Sequence, residues 1–399
     1  MSSLIIKKTQ EGLAQSFLNT LLKPHWIVFF TVSVSALAWL TPDFFGYYKG
    51  FKVAESMNLL SLLFIFTWYF LAIFICWVGF SLGNKFPKIK EADQYASLDK
   101  AHIYRWYSVI ALIGIFYTIY VTFKVLGFYG FFYAIITFTT NKIAYAIYQD
   151  YSAGIFSLRY VIIIAFGWAL YRVIILKKIQ LIDILNIGVF IFYIAFFGRR
   201  LQLVCSILVF LTLANRYNSL FKKVKLNRFY WLVFFGFIML SVATLLRNYG
   251  SYAEMGYSNP LSAVLANVIA YLAAPFQVSL GVGNNVLDAF SGVGYRSFTE
   301  VDTTLTANSA FAEMVTSQGT RAIMKVNAWA LFFGFMSGWL YKNKENYLYT
   351  GYPIILYAFA ELWRIDLFDK GIFYTLLIAA IGIPIIHTFV MFMFTSKKQ

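Results

Sequence analysis

Long apolar runs separated by short charged loops dominate the chain. The runs fall at 25–41, 57–80, 106–127, 155–176, 180–197, 200–216, 228–246, 326–341, 347–363 and 371–394. A helix needs about 20 predominantly apolar residues to cross a bilayer, so the pattern predicts an all-α polytopic integral membrane protein with about ten transmembrane helices. No linker divides the chain, and 1–399 reads as a single transmembrane domain. One further stretch, LSAVLANVIAYLAAPFQVSL at 261–280, is apolar enough to cross but contains Asn267, Pro275 and Gln277. A partly inserted or surface-lying helix fits it equally well.

The placement of Lys and Arg decides between these topologies. With a cytoplasmic N-terminus and 261–280 not crossing, 20 basic and 6 acidic residues lie inside, against 13 basic and 11 acidic outside. Every short loop then obeys the positive-inside rule. If 261–280 crossed, the KNKE loop at 342–345 and the C-terminal Lys397 and Lys398 would fall outside. The expectation is therefore ten spans, both termini cytoplasmic, and one large external loop region at 247–325 containing short helices. Two external segments differ from the rest. Residues 128–154 carry Tyr129, Tyr133, Tyr145, Tyr148 and Tyr151 with one Lys and one Asp, which suits a helix lying along the interface. Residues 281–325 are rich in Gly, Ser, Thr and Asn, and hold Asp288, Arg296, Glu300, Asp302, Glu313 and Arg321.

Composition narrows the function classes. The chain is 60% hydrophobic and 13% charged, with a mean hydropathy of +0.69, far from a soluble domain. Its net charge of +16 does not point to nucleic acid, because the basic residues sit in short loops where they set topology. Cys76 and Cys205 lie inside apolar runs with no CxxC or Cys/His spacing, so neither a disulfide framework nor a structural zinc site is indicated. The first apolar run follows Lys7, Lys8 and Lys23 and lacks an A-x-A exit, so it is expected to stay as the first span.

Gly198-Arg199-Arg200 stands between two apolar runs with almost no loop. An Arg deeper in the hydrocarbon costs about 2.5 to 3.5 kcal/mol even on an insertion scale, so two at a span boundary need a reason. One reading is a tight hairpin whose arginines snorkel to headgroups. The other is an anion site, since a guanidinium fork binds phosphate oxygens in pairs. Arg247, Arg296 and Arg364 fall on the same external side in LLRNYG, GYRSF and ELWRID, and Lys124 and Arg159 lie beside spans near it. Tyr249 and Tyr271 could contribute stacking faces, against the default of an interfacial aromatic belt. Glu300-Val301-Asp302 imitates a D-x-D metal grip, yet three residues in a polar loop are more often simply solvated, and no metal is assigned.

FGRRLQLVCSILVFLTLAN resembles the Gly-x-Arg and apolar helix of bacterial oligosaccharide repeat-unit polymerases, the Wzy-type O-antigen and capsule polymerases. NVIAYLAAPFQVSLGV is similar to their Tyr-(small)-Pro stretch, matched by Tyr271 and Pro275, and NSAFAEMVTSQGTRAIMKVNAWALFFGFMSGWL to the sequence after their large periplasmic loop. The resemblance covers the second half of the chain. Where the family often shows Asp-Phe-Gly, this chain has Ser317, Gln318 and Gly319. Related O-antigen ligases use a loop His, whereas the histidines here are His25, His102 and His387, none in that loop.

The resemblance implies a glycosyltransferase of the bacterial inner membrane that moves a growing glycan from an undecaprenyl diphosphate carrier at the periplasmic face, without a cofactor. Its implied partners are the lipid-linked oligosaccharide, the bilayer, a flippase and a chain-length regulator. Clustered Arg can neutralise a departing diphosphate, and a carboxylate can take the acceptor proton. Arg199, Arg200 and Arg247 are the candidates for the first role, with Gly-x-Arg favouring Arg200. Glu254, Glu300, Asp302 and Glu313 are open for the second, and Arg296, Arg364, Arg159, Tyr249 and Tyr271 for substrate binding. A ligase, or a flippase or other transporter of lipid-linked oligosaccharide, is the alternative. Transporters typically show repeated halves and broken midplane helices, whereas here the halves do not match and the polar residues gather outside rather than mid-span.

Overall fold

The computed structural model describes all residues except 1, 42–48, 90–100, 138–142, 144–146, 148–153, 198–199, 217–219, 225, 255, 257–258, 290–292, 302–307 and 397–399. The longer helices are α1 (Ser2–Leu21), α2 (Pro24–Leu40), α3 (Leu59–Lys85), α4 (Ala101–Ile136), α5 (Val161–Leu170), α6 (Leu181–Phe197), α7 (Arg200–Ala214) and α8 (Leu226–Glu254). They continue as α9 (Pro260–Asn284), α10 (Ala310–Gln318), α11 (Arg321–Lys342), α12 (Gly351–Glu361) and α13 (Gly371–Ser396). Among the described residues no β-sheet forms, as a lipid environment requires of a helical chain that must satisfy its own backbone.

Five helical segments are long and apolar enough to cross a membrane: 59–85, 102–134, 154–175, 260–284 and 371–390, with α1 and α2 a sixth if that bent pair is one span. Four of the five coincide with predicted spans. The fifth is α9, which the charge count had kept out of the membrane. It is one continuous helix despite Pro275, and most of its second half is buried by protein. Predicted span 347–363 differs in the other direction. A single 3₁₀ turn leads into the 11-residue α12, every residue of which is buried among α2, α7, α11 and α13. That run is apolar because it forms the centre of the bundle, which hydropathy alone does not separate from lipid contact.

The tightest pairing is between α3 and α11, and small residues produce it. Gly79 and Gly83 face the backbone of α11, while Gly334 and Gly338 face that of α3. A Cβ on Gly338 would overlap the Phe80 carbonyl oxygen, and one on Gly83 the Phe335 carbonyl oxygen. Both pairs have GxxxG spacing, which lets backbones touch where lipid offers no hydrophobic drive between helices. Gly334 meets Cys76 and Gly338 meets Phe80, so the two helices run parallel.

The bundle therefore has two distinct ends. At one, Lys342 Nζ donates to the Phe86 carbonyl at 2.9 Å and Asn343 Oδ1 accepts from Ile89 N at 2.9 Å, which places the KNKE loop beside Lys85 and Lys88. The same basic end holds all three histidines: His25 packs on Phe80 at 5.7 Å, and His102 stacks on His387 at 6.4 Å beside Tyr347. Arg172 lies there too, over the Tyr104 ring and paired with buried Asp183 at 2.9 Å. The opposite end gathers the first residues of α3, the last of α9 and α12, and all of α10. Part of the expected interfacial segment at 128–154 continues α4 past Gly127, whose φ of 66° breaks the helix in a conformation that glycine adopts at little cost. Tyr129 and Tyr133 are exposed on it, whereas Tyr145, Tyr148 and Tyr151 lie outside the described residues.

Candidate functional site

The end opposite the basic loops holds a polar network centred on the corner between α12 and α13. The sequence ELWRIDLFDK puts five charges into ten positions, Glu361, Arg364, Asp366, Asp369 and Lys370. Arg364 N and Ile365 N both donate to the Glu361 carbonyl at 2.8 Å, closing the corner. Asp366 then caps a 3₁₀ turn, Leu367–Asp369, by accepting from Phe368 N at 3.0 Å.

This corner turns Arg364 inward. Its side chain is only 7% exposed, Nε pairs with Glu361 Oε2 at 3.2 Å, and the guanidinium carbon lies 4.8 Å from the centre of the Tyr271 ring. Nη2 is buried and, among the described residues, has no hydrogen-bond partner. Tyr271 also meets Trp363 edge-on at 5.7 Å, and the Trp363 carbonyl accepts from Tyr69 at 3.2 Å, which ties α9, α12 and α3 together here. Pro275 withholds the N–H that would otherwise bond the Tyr271 carbonyl.

Two ion pairs border the corner. Lys370 reaches Glu313 Oε1 on α10 at 2.7 Å, and Asn308 donates to the other Glu313 oxygen at 3.0 Å. Lys325 at the start of α11 pairs with Asp369. The Asp366 carboxyl is pushed up to about 7, first by burial and then by the neighbouring Asp369. Deeper in, Ser279 of α9 and Ser309, the cap of α10, share a hydrogen bond of 2.7 Å.

The start of α7 belongs to the same end. Tyr349, before α12, donates to the Thr212 carbonyl near the end of α7 at 3.4 Å, while Glu361, at the other end of α12, is within electrostatic reach of Cys205. The two helices are thus antiparallel, and α7 opens at the Glu361 end with Arg200. Gln202, on its first turn, is 3% exposed, and among the described residues neither end of its amide has a partner.

A second polar group surrounds Gln277 of α9. Its Oε1 accepts from Trp39 Nε1 at 2.7 Å and from Glu55 N at 3.1 Å, and its Nε2 donates to the Val53 carbonyl at 2.9 Å. The Glu55 carboxyl is raised above the usual range, mainly by burial, with the charge of Glu300 adding to it.

Of the predicted site residues, Arg364 and Tyr271 come into direct contact. Glu300 is exposed and faces Glu55. Arg159 is 2% exposed, donating to the Phe156 carbonyl and the Tyr160 hydroxyl at 2.8 Å each, with its guanidinium 3.4 Å above the Phe156 ring. Arg296 is exposed and lies 5.9 Å from the Tyr295 ring centre. Arg200, Arg247, Tyr249 and Glu254 sit on α7 and α8, but their side chains lie outside the described residues, as do Arg199 and Asp302 entirely. Glu361, Asp366, Gln202 and Glu55 were not singled out by sequence. The charge density of ELWRIDLFDK was the available signal for the first two. Among the described residues no three His, Cys, Asp or Glu side chains gather as metal ligands.

A buried guanidinium with a donor to spare, set against an aromatic face and a carboxylate, can bind one oxygen of an anion and hold it in a low-dielectric setting. The protein is of the helical membrane-embedded class by its apolar helices. No protein-family model, curated protein or solved structure matches the chain.

Proposed function

We propose that the chain is a glycosyltransferase that polymerises undecaprenyl-diphosphate-linked oligosaccharide repeat units at the periplasmic face of a bacterial inner membrane. The observation that carries this reading is the unmet Nη2 of Arg364, buried at the end opposite the basic loops and on the end where α7 begins with Arg200. In the reaction an acceptor sugar hydroxyl bonds to the anomeric carbon of the donor as the bond from that carbon to the diphosphate oxygen breaks. The departing diphosphate gains charge, which Arg364 and Arg200 offset, and such preorganised stabilisation is worth about 3 kcal/mol per donor. The acceptor proton passes to a carboxylate. Glu361, beside Arg364, joins Glu254, Glu300 and Glu313 as a candidate for that role.

Cytoplasmic termini and a periplasmic position for the end that holds the Arg364 corner and the loop around Glu300 belong to the same proposal. The charge distribution supports it, with basic loops gathered at one end of the bundle. The test is purified protein in vesicles supplied with a lipid-linked repeat unit. Wild type produces a ladder of lengthened products. Arg364→Ala, Arg200→Ala and Arg247→Ala each lower the rate by about 10²-fold or more while inserting normally, and Arg364→Lys recovers only part of it. Relocation of single units across the bilayer without lengthening, or transfer to a lipid A core alone, overturns the reading.

A further inference from the structure

Helix α1 leaves the bundle sideways. Residues 12–21 meet α2 at a bend of 95°, so if α2 follows the bilayer normal, α1 lies in the membrane plane. The bend sits at the basic end, where the Leu22 carbonyl accepts from Tyr352 and His25 packs on Phe80.

The two faces of α1 have different surroundings. Leu18 and Leu22 are buried against the protein. Asn19 Oδ1 accepts from the Asn215 amide at 2.7 Å, Gln15 donates to the same residue, and Gln15 Oε1 accepts from Phe221 N at 3.4 Å, fastening α1 to the end of α7 and the turn beyond it. The other face presents Leu13, 67% exposed, and Phe17, 59% exposed, one turn apart. Phe17 meets Phe30 of α2 edge-on at 6.3 Å, and Phe30, Phe29 and Trp26 are all exposed on α2. The uncovered face of α1 is therefore continuous with the outer surface of α2, which lipid covers in a membrane. The sequence 2–23 carries Lys7, Lys8 and Lys23 against a single acid, Glu11.

We propose that α1 is an in-plane helix that seats Leu13 and Phe17 at the headgroup boundary of the leaflet at the basic end and favours its anionic lipids through the net positive charge of the sequence 2–23. An apolar face, a right-angle exit and a local excess of positive charge are what a helix needs to lie in an interface and select anionic headgroups. The occupant is lipid, because the face runs on without interruption into that of α2.

Nitroxide labels read this directly. Cys76 and Cys205 are fully buried and stay unlabelled, so Leu13→Cys, Phe17→Cys, Phe30→Cys and Lys52→Cys can each be labelled in the full-length protein. Power saturation with oxygen and with a water-soluble nickel chelate then gives depth in nanodiscs of phosphatidylglycerol with phosphatidylethanolamine, or of phosphatidylcholine alone. The expected result places labels 13 and 17 just below the phosphates, shallower than 30 and deeper than 52. Adding Lys7→Gln and Lys8→Gln to the labelled proteins shifts the docked-to-undocked ratio by about fivefold per lysine in the anionic discs, and by far less in the neutral ones. Labels 13 and 17 as water-accessible as 52 leave the face for a soluble partner or a second copy and overturn the proposal. Labels as deep as 30 make α1 and α2 a re-entrant pair and overturn it too. Equal behaviour in both lipids overturns the anionic preference.

Discussion

Asp366 shows how a single carboxyl at the polar end couples folding to pH. Its Oδ1 caps the 367–369 turn while Oδ2 is buried with no hydrogen-bond donor among the described residues, and the Asp369 carboxylate stands beside it. With its pKa pushed up to about 7, the folded protein holds this proton more tightly than the unfolded chain, where an Asp titrates near ~3.9. The folded state therefore binds more protons between about 4 and about 7, so stability falls as pH rises through that window and the full cost is present above it. Asp366→Asn keeps an oxygen for the Phe368 N–H and removes the charge. Its melting temperature should match wild type below about pH 4 and pull ahead of it progressively, exceeding it at pH 8 by on the order of 2 °C or more. Parallel curves for the two proteins across that range would show that Asp366 carries no such penalty. The same corner shows what was legible at single positions. Arg364 was marked by its place after an apolar run, and Tyr271 by its Tyr-(small)-Pro setting, but their contact joins residues 93 positions apart in sequence and needed the packing of α9 on α12. Glu361 was passed over because it ends an apolar run, and only a folded corner brings its carboxylate onto the guanidinium three residues later.

Helices were more legible than their neighbours. Apolar runs located α2, α6, α7 and α13 to within about two residues and marked the others, though α4 runs nine residues and α8 eight beyond the predicted ends, because a helix that must bury its backbone in lipid or protein needs continuous apolar cover. The distinction between lipid-facing and protein-facing was not legible: α12 is apolar throughout and buried by protein along its whole length, and much of α9 is buried by protein as well. Hydropathy measures what a side chain avoids, and both lipid and a packed core satisfy it. The association of α3 with α11 did have a signal, the matched spacing Gly79–Gly83 and Gly334–Gly338, which a search for apolar runs passes over because glycine contributes little to hydropathy. That spacing is also testable. Gly338→Ala puts a methyl group against the Phe80 carbonyl, which cannot swing aside as a side chain could, and should cost about 1 to 3 kcal/mol. Gly382→Ala on α13 meets nothing nearer than 3.9 Å and should be neutral, or stabilising by up to about 1 kcal/mol through helix propensity. Unfolding in a detergent series separates them, and equal stability for both variants would remove the close backbone contact as the reason α3 and α11 pair.

For the molecule as one body, the decisive relation is that α3 and α11 run parallel. The loops that follow them, one carrying Lys85 and Lys88 and the other Lys342 and Lys344, consequently share an end, held by Lys342 on the Phe86 carbonyl and by Asn343 on Ile89. The charge count had reached the same arrangement by another route, and had kept 261–280 out of the membrane because a crossing there would invert the KNKE loop. That inference assumes that every other apolar run crosses once. In the fold α9 is as long and apolar as a crossing helix while both basic loops stay together, so the ten runs cannot each cross once alongside a crossing α9. Single cysteines at Lys88 and Glu345 should accordingly react with an impermeant maleimide from one side of sealed vesicles, and a cysteine at exposed Glu300 from the other. Cys76 and Cys205 are fully buried and add no background. If Lys88 and Glu345 labelled from opposite sides, the parallel pairing would be wrong, and the single polar end that unites Arg364, Glu361, Tyr271 and the start of α7 would be wrong with it. If all three labelled from one side, α3 and α11 would remain parallel but Glu300 and the loop around it would have to return to the basic end. The Arg364 corner would then face the same compartment as the basic loops, where the positive-inside rule places the cytoplasm.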